Sequence, residues 1–147
     1  MLPLDKLVEK LNRLKEEGKK IVFTNGCFDI LHKGHVAYLQ AAKKLGDVLV
    51  LGLNSDRSVK ALKGPGRPVN NQYDRAFVLA SLYSVDFIVI FDEDTPYEIL
   101  SKIRPHILTK GGDYKLEEVV GSEFAGETIL IDFVKGYSTT SLINKLK

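Results

Sequence analysis

The hydrophobic residues of this chain fall into short runs and helical repeats that alternate along its length. Leucine and valine recur at three- and four-residue spacing between residues 4 and 14, which predicts an amphipathic helix that ends at Gly18. Residues 21–24 form an apolar run, which predicts a short strand that leads into Asn25 and Gly26. A second helical pattern follows and closes at Gly46.

The next apolar run, residues 48–53, is continuous rather than alternating, which is typical of a strand covered on both faces in a parallel sheet. This strand completes a strand-helix-strand unit. Residues 54–70 carry Lys60, Lys63 and Arg67 together with two prolines and two glycines. We predict a long, basic, irregular loop for this segment, and long loops in compact domains are often functional.

The second half of the chain continues the same alternation. Thr95 and Glu98 have the spacing of a capping box, with Pro96 at the first helical position. We predict an α/β fold: a Rossmann-like, doubly wound, parallel five-stranded sheet in the order 3-2-1-4-5, whose ligands bind beyond the carboxyl ends of the strands. The remaining predicted elements are a helix near 71–82, strands at 87–91, 107–109 and 128–131, a short helical stretch after Tyr114, and a terminal helix that begins near Ser138.

The length of 147 residues corresponds to about one domain. We expect a single domain over residues 1–147, in which residues 1–18 form an N-terminal helix and residues 19–147 an α/β core. A hydrophobic fraction of 44% and a charged fraction of 27% are typical of an ordinary globular domain and argue against disorder.

Charge and targeting signals narrow the class of partner. With 21 Lys and Arg against 19 Asp and Glu, the net charge is only +2, which argues against nucleic acid as a partner. No apolar run approaches the length of a membrane span, and the N-terminus lacks the layout of a signal peptide, so we expect no membrane association and a cytoplasmic location. The single cysteine, Cys27, excludes an intrachain disulfide and a multi-cysteine metal site.

Phosphate-binding motifs narrow the class of enzyme. The Walker pattern is absent, which argues against a P-loop enzyme. Residues 64–69 come close to a dinucleotide-binding glycine motif but lie within the predicted loop, where we expect a flexible turn. The segment after the first strand, residues 25–35, carries more chemical information than any other.

His32 and His35 are three residues apart where this segment enters a helix, so their rings are expected to lie side by side at its positive end, which favours anions. Gly34 lets a phosphate approach the backbone closely, and Gly26 opens the turn after the strand. Two histidine donors aimed at one phosphate would stabilise the charge that develops during in-line displacement. Whether each ring is a cation or a neutral donor stays open at this point.

Two other interpretations of the histidines compete with catalysis. Together with Cys27 and Asp29 they have the residue types of a metal site, although zinc requires three or four firm ligands at recognised spacing. Alternatively, the two histidines only cap the helix and bond to its backbone. Catalysis explains the whole segment best.

Gly26-Cys27-Phe28-Asp29 followed by His32-Lys33-Gly34-His35 resembles the signature of the cytidylyltransferase-like nucleotidyltransferases, which makes this fold their HxGH type. Residues 8–146 look most similar to one branch, the D-glycero-β-D-manno-heptose 1-phosphate adenylyltransferases. The segments that support this branch are 54–56, 62–64, 67–70, 93–96, 110–114 and 136–140.

Departures separate the chain from the glycerol-3-phosphate cytidylyltransferases, which share the histidine motif. Those enzymes usually carry Arg-Thr-Glu-Gly-Ile before the Ser-Thr-Thr triplet, where this chain has residues 133–137 and no arginine. A second arginine of that family corresponds by spacing to Tyr83. Both departures argue against the cytidylyl reaction.

The resemblance implies a role for each matching residue. His32, His35 and Lys63 are implied as catalytic, with Lys63 on a loop that closes over the triphosphate and Arg75 converging on it. Asp29 either orients the histidine loop or reaches a metal through water, and Ser138 is equally explained as a helix cap. The nucleotide-binding set is Thr24, Asn25, Gly26, Cys27, Phe28, Asp29, Gly34, Lys60, Arg75, Lys110, Gly111, Ser138, Thr139 and Thr140; the acceptor-binding set is Asp56, Asp86, Gly112, Asp113 and Tyr114.

The function implied by the resemblance is transfer of AMP from ATP to a heptose 1-phosphate, with Mg²⁺ carried on the triphosphate and no metal bound by the protein alone. A separate heptose kinase would supply the sugar phosphate, and a homodimer is expected from related transferases. Two alternatives remain: a cytidylyltransferase that acts on a small polyol or sugar phosphate, and a nucleotide-binding regulatory domain without turnover. His106 is expected to be structural.

Overall fold

A computed structural model describes residues 1–112, 115–132 and 138–147 of the chain. Its five strands are all parallel and lie in the order β3-β2-β1-β4-β5, so the predicted topology is confirmed. The continuous apolar run became a strand buried along its whole length, as a sheet covered on both faces requires. The strands are β1 (Ile21–Gly26), β2 (Val48–Asn54), β3 (Phe87–Phe91), β4 (Ile107–Gly111) and β5 (Glu127–Ile131).

Helices cover both faces of this sheet. Within the described ranges, none of them is long and apolar enough to cross a membrane. They are α1 (Leu4–Glu16), α2 (Lys33–Lys43), α3 (Asp56–Lys63), α4 (Gln72–Ala80), α5 (Tyr97–Ile103) and α6 (Thr139–Leu146), with short 3₁₀ turns at Leu116–Glu118 and Ser122–Phe124.

Alternate residues of the strands feed two separate hydrophobic clusters, one on each face. Phe23 and Val50 face a cluster completed by α1 and α5, whereas Leu49 and Leu51 face a cluster completed by α2 and α4. The N-terminal helix α1 belongs to the first cluster through fully buried leucines, and its Lys15 Nζ donates hydrogen bonds to the last carbonyls of α5. Packing of the helices on both faces of the sheet holds the carboxyl ends of the strands in fixed relative positions.

Residues 56–63 are helical, so the prediction of an irregular loop over 54–70 was wrong in its first half. Ser55 caps this helix by accepting a hydrogen bond from the Ser58 amide at 3.2 Å, and Val59 is fully buried beneath it. Gly64, with a φ of +91°, ends the helix. The helix matters for the site because its last residue is Lys63.

The start of α5 also differs from the prediction. The helix begins at Tyr97, one residue after Pro96, and no side chain caps it. Its first hydrogen bond runs from the Leu100 amide to the Pro96 carbonyl at 2.9 Å. The expected capping box is not formed, and Thr95 instead faces the cleft described below.

Burial of α1 predicts a large stability change on truncation of its core face. Replacing the fully buried Leu11 with Ala should lower the free energy of unfolding by about 2–5 kcal/mol, since it removes packed methyl groups and leaves a cavity. Leu146→Ala is the matched control, because that leucine is 82% exposed and its truncation should change stability by less than about 0.5 kcal/mol. Denaturant unfolding of both variants measures the difference. Equal effects would show that α1 adds nothing to the core.

Candidate active site

The carboxyl ends of β1, β2 and β4 open into one cleft of about 600 Å³. Strands β1 and β4 are neighbours at the point where the strand order reverses, which is where ligands bind in sheets of this kind. Of the residues predicted to form the site, those that line the cleft are Asn25, Gly26, Cys27, Phe28, His32, Gly34, His35, Lys63, Lys110, Gly111, Ser138, Thr139 and Thr140.

The two histidines cap α2 for each other. The Nδ1 atom of His32 accepts hydrogen bonds from the backbone amides of Gly34 and His35, at 3.1 and 3.4 Å. The Nδ1 atom of His35 accepts one from the His32 amide at 3.3 Å, so the pair forms a reciprocal capping box. Their rings are stacked, with centroids 3.8 Å apart. A nitrogen that accepts from N–H carries no proton, so each neutral ring carries its proton on Nε2.

The surroundings of the rings keep them neutral. Burial lowers the pKa of His35 to about 4, and the adjacent His32 ring acts in the same direction. Burial also lowers the pKa of His32. The structure therefore selects neutral Nε2–H donors, a choice that the sequence left open. Capping and phosphate contact are compatible roles, because capping uses Nδ1 and leaves the proton on Nε2.

Phe28 packs against the histidine pair, and Gly26 leaves room for the Phe28 ring. The Phe28 ring lies 5.2 Å from the His35 ring, centroid to centroid, in a tilted arrangement. A Cβ on Gly26 would meet the Phe28 ring at 2.7 Å, so only glycine leaves room for that ring. Gly26 thus serves the packing of Phe28, a reason that adds to its predicted role of opening the turn after the strand.

Tyr38 fixes α2 to the sheet at the same level. Its hydroxyl is hydrogen bonded to Thr24 Oγ1 of β1 and to Thr109 Oγ1 of β4, both at 3.1 Å. Thr24 is fully buried, so it contacts Tyr38 rather than the cleft, where a nucleotide contact was expected. Tyr38 itself lines the cleft and was not predicted, although it follows His35 by three residues on one helix face.

Asp29 links the histidine segment to the segment after α3. Its carboxylate accepts hydrogen bonds from the amides of Val69 and Asn70, each at 2.8 to 2.9 Å, and from Arg67 Nε at 2.8 Å. Burial acts to raise the pKa of Asp29, but these hydrogen bonds outweigh it and leave the pKa lowered. Of the two expected roles, orientation of the histidine loop is the one that this geometry supports.

Arg75 is buried beneath the cleft rather than directed at a triphosphate. Its guanidinium donates to the carbonyls of Cys27, Asn54 and Asn70, at 2.7 to 2.9 Å, and to Asp56 Oδ1 at 2.9 Å. These bonds engage every nitrogen of the group and tie the ends of β1 and β2 together. Arg75 and Asp56 therefore shape the cleft from outside it, which corrects their predicted contacts with substrate.

Other predicted residues lie away from the cleft. Asp86 precedes β3, at the amino edge of the sheet, where its carboxylate accepts from the Leu49 amide at 2.8 Å and pairs with Lys43. Because the cleft lies at the opposite edge, the predicted acceptor contact of Asp86 is wrong. Lys60 is exposed on α3 and Gly112 adjoins Asp132, and neither lines the cleft. The predicted residues Asp113 and Tyr114, and residues 133–137, lie outside the described residues.

The start of α6 forms another wall. Ser138 Oγ accepts a hydrogen bond from the Ser141 amide at 3.0 Å, so Ser138 caps this helix as well as lining the cleft. Thr139 Oγ1 donates to the Ile30 carbonyl at 3.2 Å and thereby connects α6 to the histidine segment. Two helix N-termini, those of α2 and α6, thus face one cleft, which favours anions.

Sequence reasoning missed several cleft residues. Asp94, Thr95 and Pro96 follow the carboxyl end of β3, and both that position and the resemblance over residues 93–96 mark them as candidates. Leu62 and Arg67 lie in segments that carry the family resemblance, but neither was predicted to form the site, and nothing in the sequence indicated the residues 118–120. In the ranges that the structure describes, no group of three His, Cys, Asp or Glu side chains is placed to hold a metal ion. His106 accepts from the Ile21 amide at 2.9 Å at the amino edge, a structural role as expected.

Neutral histidines make stability depend on pH. Between the ordinary histidine pKa of 6.5 and the lowered value of about 4, the unfolded chain binds protons that folded His35 does not. The free energy of unfolding should therefore fall as the pH drops from 6.5 to 4. His32 and His106 act in the same direction. Denaturant titrations across this range should show a shallower slope for His35→Gln, and an unchanged slope would contradict the assignment.

Comparisons with known proteins identify the family of this chain. The family model described as cytidylyltransferase-like matches residues 23–145. The chain is 63% identical over 134 residues to the bifunctional protein HldE of a Nitratiruptor species, covering 91% of this chain and 29% of that protein. It is 58% identical over 147 residues to the bifunctional protein HldE of a Helicobacter pylori strain, covering 100% of this chain and 31% of that protein. The chain thus spans about three tenths of the length of these relatives.

Two solved structures have a fold similar to that of this chain. The lipopolysaccharide core biosynthesis protein from Thermoplasma volcanium GSS1 superposes with a TM-score of 0.62 at 31% identity, covering 82% of this chain and 100% of that chain. A pantoate-beta-alanine ligase from Francisella tularensis shares the fold, with a TM-score of 0.64 at 17% identity, covering 95% of this chain and 71% of that chain. The chain therefore belongs to the cytidylyltransferase-like family of nucleotidyltransferases.

Proposed function

We propose that this chain transfers AMP from ATP to D-glycero-β-D-manno-heptose 1-phosphate and releases pyrophosphate. A phosphate oxygen of the sugar 1-phosphate forms a bond to the α-phosphorus of ATP, and the bond from that phosphorus to the bridging oxygen breaks. The products are ADP-heptose and pyrophosphate. The stacked pair of neutral histidines at the N-terminus of α2 carries this proposal, and the similarity to the bifunctional HldE proteins supports the choice of heptose.

The histidine pair suits stabilisation of a phosphoryl transition state. Neutral rings that donate from Nε2–H supply hydrogen bonds without acting as bases. Because an oxygen of the sugar phosphate is the nucleophile in the proposed step, no protein nucleophile is required. The backbone capping fixes both rings before substrate arrives, and donors fixed in this way need no reorganisation during the reaction. Positioning and electrostatics together account for the rate.

Positive charge for the phosphates comes from the other walls of the cleft. Lys63 at the end of α3 and Lys110 at the end of β4 both line it, together with the N-terminus of α6. ATP and a sugar phosphate bring several negative charges into one site, whereas neutral histidines contribute no net charge. We assign Lys63 to the neutralisation of the departing pyrophosphate.

We expect a divalent cation to enter this cleft bound to the phosphates of the nucleotide. Both oxygens of Asp29 already accept protein hydrogen bonds, and the described residues offer no cluster of three metal ligands. Mg²⁺ typically keeps several waters and binds through substrate phosphates with one or two carboxylates. Among the residues that the structure describes, Asp94 and Glu118 are the carboxylates that line the cleft, and they would hold such a cation through its waters. When bound, the cation neutralises charge on the triphosphate.

The proposal also places the chain in a reaction sequence. The sugar 1-phosphate must come from a phosphorylating step, which we assign to a kinase activity outside these 147 residues, as the bifunctional character of the HldE relatives suggests. The product is an activated heptose for lipopolysaccharide core or other surface-glycan biosynthesis, in line with the Thermoplasma structure named above. We propose a cytoplasmic location and a homodimer.

Pyrophosphate release tests the reaction. The protein with ATP, Mg²⁺ and the β-anomer of the heptose 1-phosphate should release pyrophosphate, and no turnover with that mixture would overturn the proposal. Faster release with CTP and a small polyol phosphate would favour the cytidylyltransferase alternative. Nucleotide binding without release across a panel of sugar phosphates would favour the regulatory alternative.

Variants that keep the helix cap separate chemistry from folding. His32→Asn retains a side-chain acceptor at the N-cap, and His35→Gln retains one at the third helical position, so both should fold with stability close to that of the wild type. Each should lower kcat by about 100-fold or more, because the amide NH2 of the new side chain does not occupy the position of the ring Nε2–H, and the donor to the transition state is displaced. Steady-state kinetics and denaturant unfolding measure the two effects. Near-normal kcat in both variants would show that the histidines act only as caps.

A further inference from the structure

Arg67 lines the cleft, but the mechanism proposed above gives it no role. Its side chain is only 15% exposed and lines the cleft just beyond Lys63, after α3 has ended. The Nε atom donates to Asp29 Oδ2 at 2.8 Å. This bond uses the inner edge of the guanidinium and leaves the two Nη groups at its outer end.

Asp29 is well placed to hold Arg67 without neutralising it completely. Its side chain is fully buried, and its carboxylate also accepts from the Val69 and Asn70 amides, so its charge is shared among three donors. Asp29 belongs to the same segment, residues 25–35, as His32 and His35. The guanidinium is therefore fixed relative to the histidine pair by a single buried carboxylate.

Two cations converge on the same part of the cleft. Burial raises the pKa of the Cys27 thiol, while the positive charges of Lys63, Arg75 and Arg67 act to lower it. Arg75 is occupied by backbone carbonyls and Asp56, which leaves Lys63 and Arg67 to face the cavity. Among the described residues that line the cleft, Arg67 is the only arginine.

We propose that Arg67 binds a phosphate group of the substrates through its Nη atoms, with Asp29 as the positioning residue that holds its Nε. The inference rests on the proposed nucleotidyl transfer and adds a phosphate-binding residue to it. A planar guanidinium held at one edge offers two parallel N–H donors from the other, a geometry that matches phosphate oxygens. Lysine would keep the charge but not this forked contact.

Binding measurements test Arg67 independently of turnover. Titration calorimetry with inorganic pyrophosphate and with ATP gives a Kd for each, and steady-state kinetics give the KM for the sugar phosphate. Arg67→Ala should raise at least one of these three constants by about tenfold or more, and Arg67→Lys should have a smaller effect. Weaker pyrophosphate and ATP binding assigns Arg67 to the nucleotide, whereas a higher KM for the sugar phosphate alone assigns it to the acceptor. If the Kd for pyrophosphate, the Kd for ATP and the KM for the sugar phosphate are all unchanged in a folded Arg67→Ala protein, the inference is overturned.

Arg57→Ala is the matched control. It removes an exposed arginine of α3, the helix that ends at Lys63, from a position outside the cleft. Its Kd and KM values should equal those of the wild type. Equal losses in both arginine variants would indicate a general charge effect and would contradict a specific contact.

Asp29 is tested by its dependence on Arg67. Asp29→Asn should weaken phosphate binding in the same direction as Arg67→Ala, and the double variant should bind no more weakly than Arg67→Ala alone, since Asp29 acts through that residue. Added guanidinium should partly restore Arg67→Ala, because Asp29 still offers the binding position. Additive losses and no restoration would show that Asp29 serves the fold alone. If wild-type turnover fails while pyrophosphate binding still depends on Arg67, only the proposed reaction is overturned.

Discussion

The whole site depends on one arrangement, the mutual capping of His32 and His35 at the start of α2. Each ring accepts a backbone hydrogen bond on Nδ1, so the helix terminus satisfies its own amides with the same side chains that face the cleft. The arrangement fixes the tautomer as well as the position, because an accepting Nδ1 requires the proton on Nε2. Burial and the stacking of the two rings keep a second proton away. A pair of neutral donors is thus built into the helix before any ligand binds.

Surrounding contacts make this pair rigid and supply the charge that it lacks. Phe28 packs against His35, Tyr38 bonds α2 to β1 and β4, and Thr139 bonds α6 to the histidine segment. Asp29 and the buried Arg75 join the same segment to the chain after α3, and Lys63 and Arg67 also line the cleft. The cleft therefore combines neutral directional donors with cations. This combination suits a reaction in which a phosphorus centre is attacked while pyrophosphate departs.

The sequence predicted the sheet and the histidine segment because both have local signals: a continuous apolar run for β2 and a distinctive spacing for His32 and His35. The sequence did not predict roles that depend on tertiary contacts, because it does not show which neighbours a side chain has. Arg75 is a buried clamp rather than a phosphate ligand, and only its four acceptors reveal this. Asp86 was misplaced, although its position before a strand puts it at the amino edge of a parallel sheet. The helix over residues 56–63 was hidden because its cap, Ser55, was outweighed by the prolines and glycines beyond it.

The central claim is that both histidines are neutral and carry their proton on Nε2. Long-range nitrogen-proton NMR correlation of the imidazole rings at neutral pH reads this state directly, since protonated and unprotonated ring nitrogens have distinct nitrogen shifts. The account predicts, for His32 and His35 alike, an unprotonated Nδ1 and a protonated Nε2 in the free protein, with no change until the pH falls towards 4 for His35. Imidazolium signals at neutral pH, or a proton on Nδ1 of either ring, would contradict it.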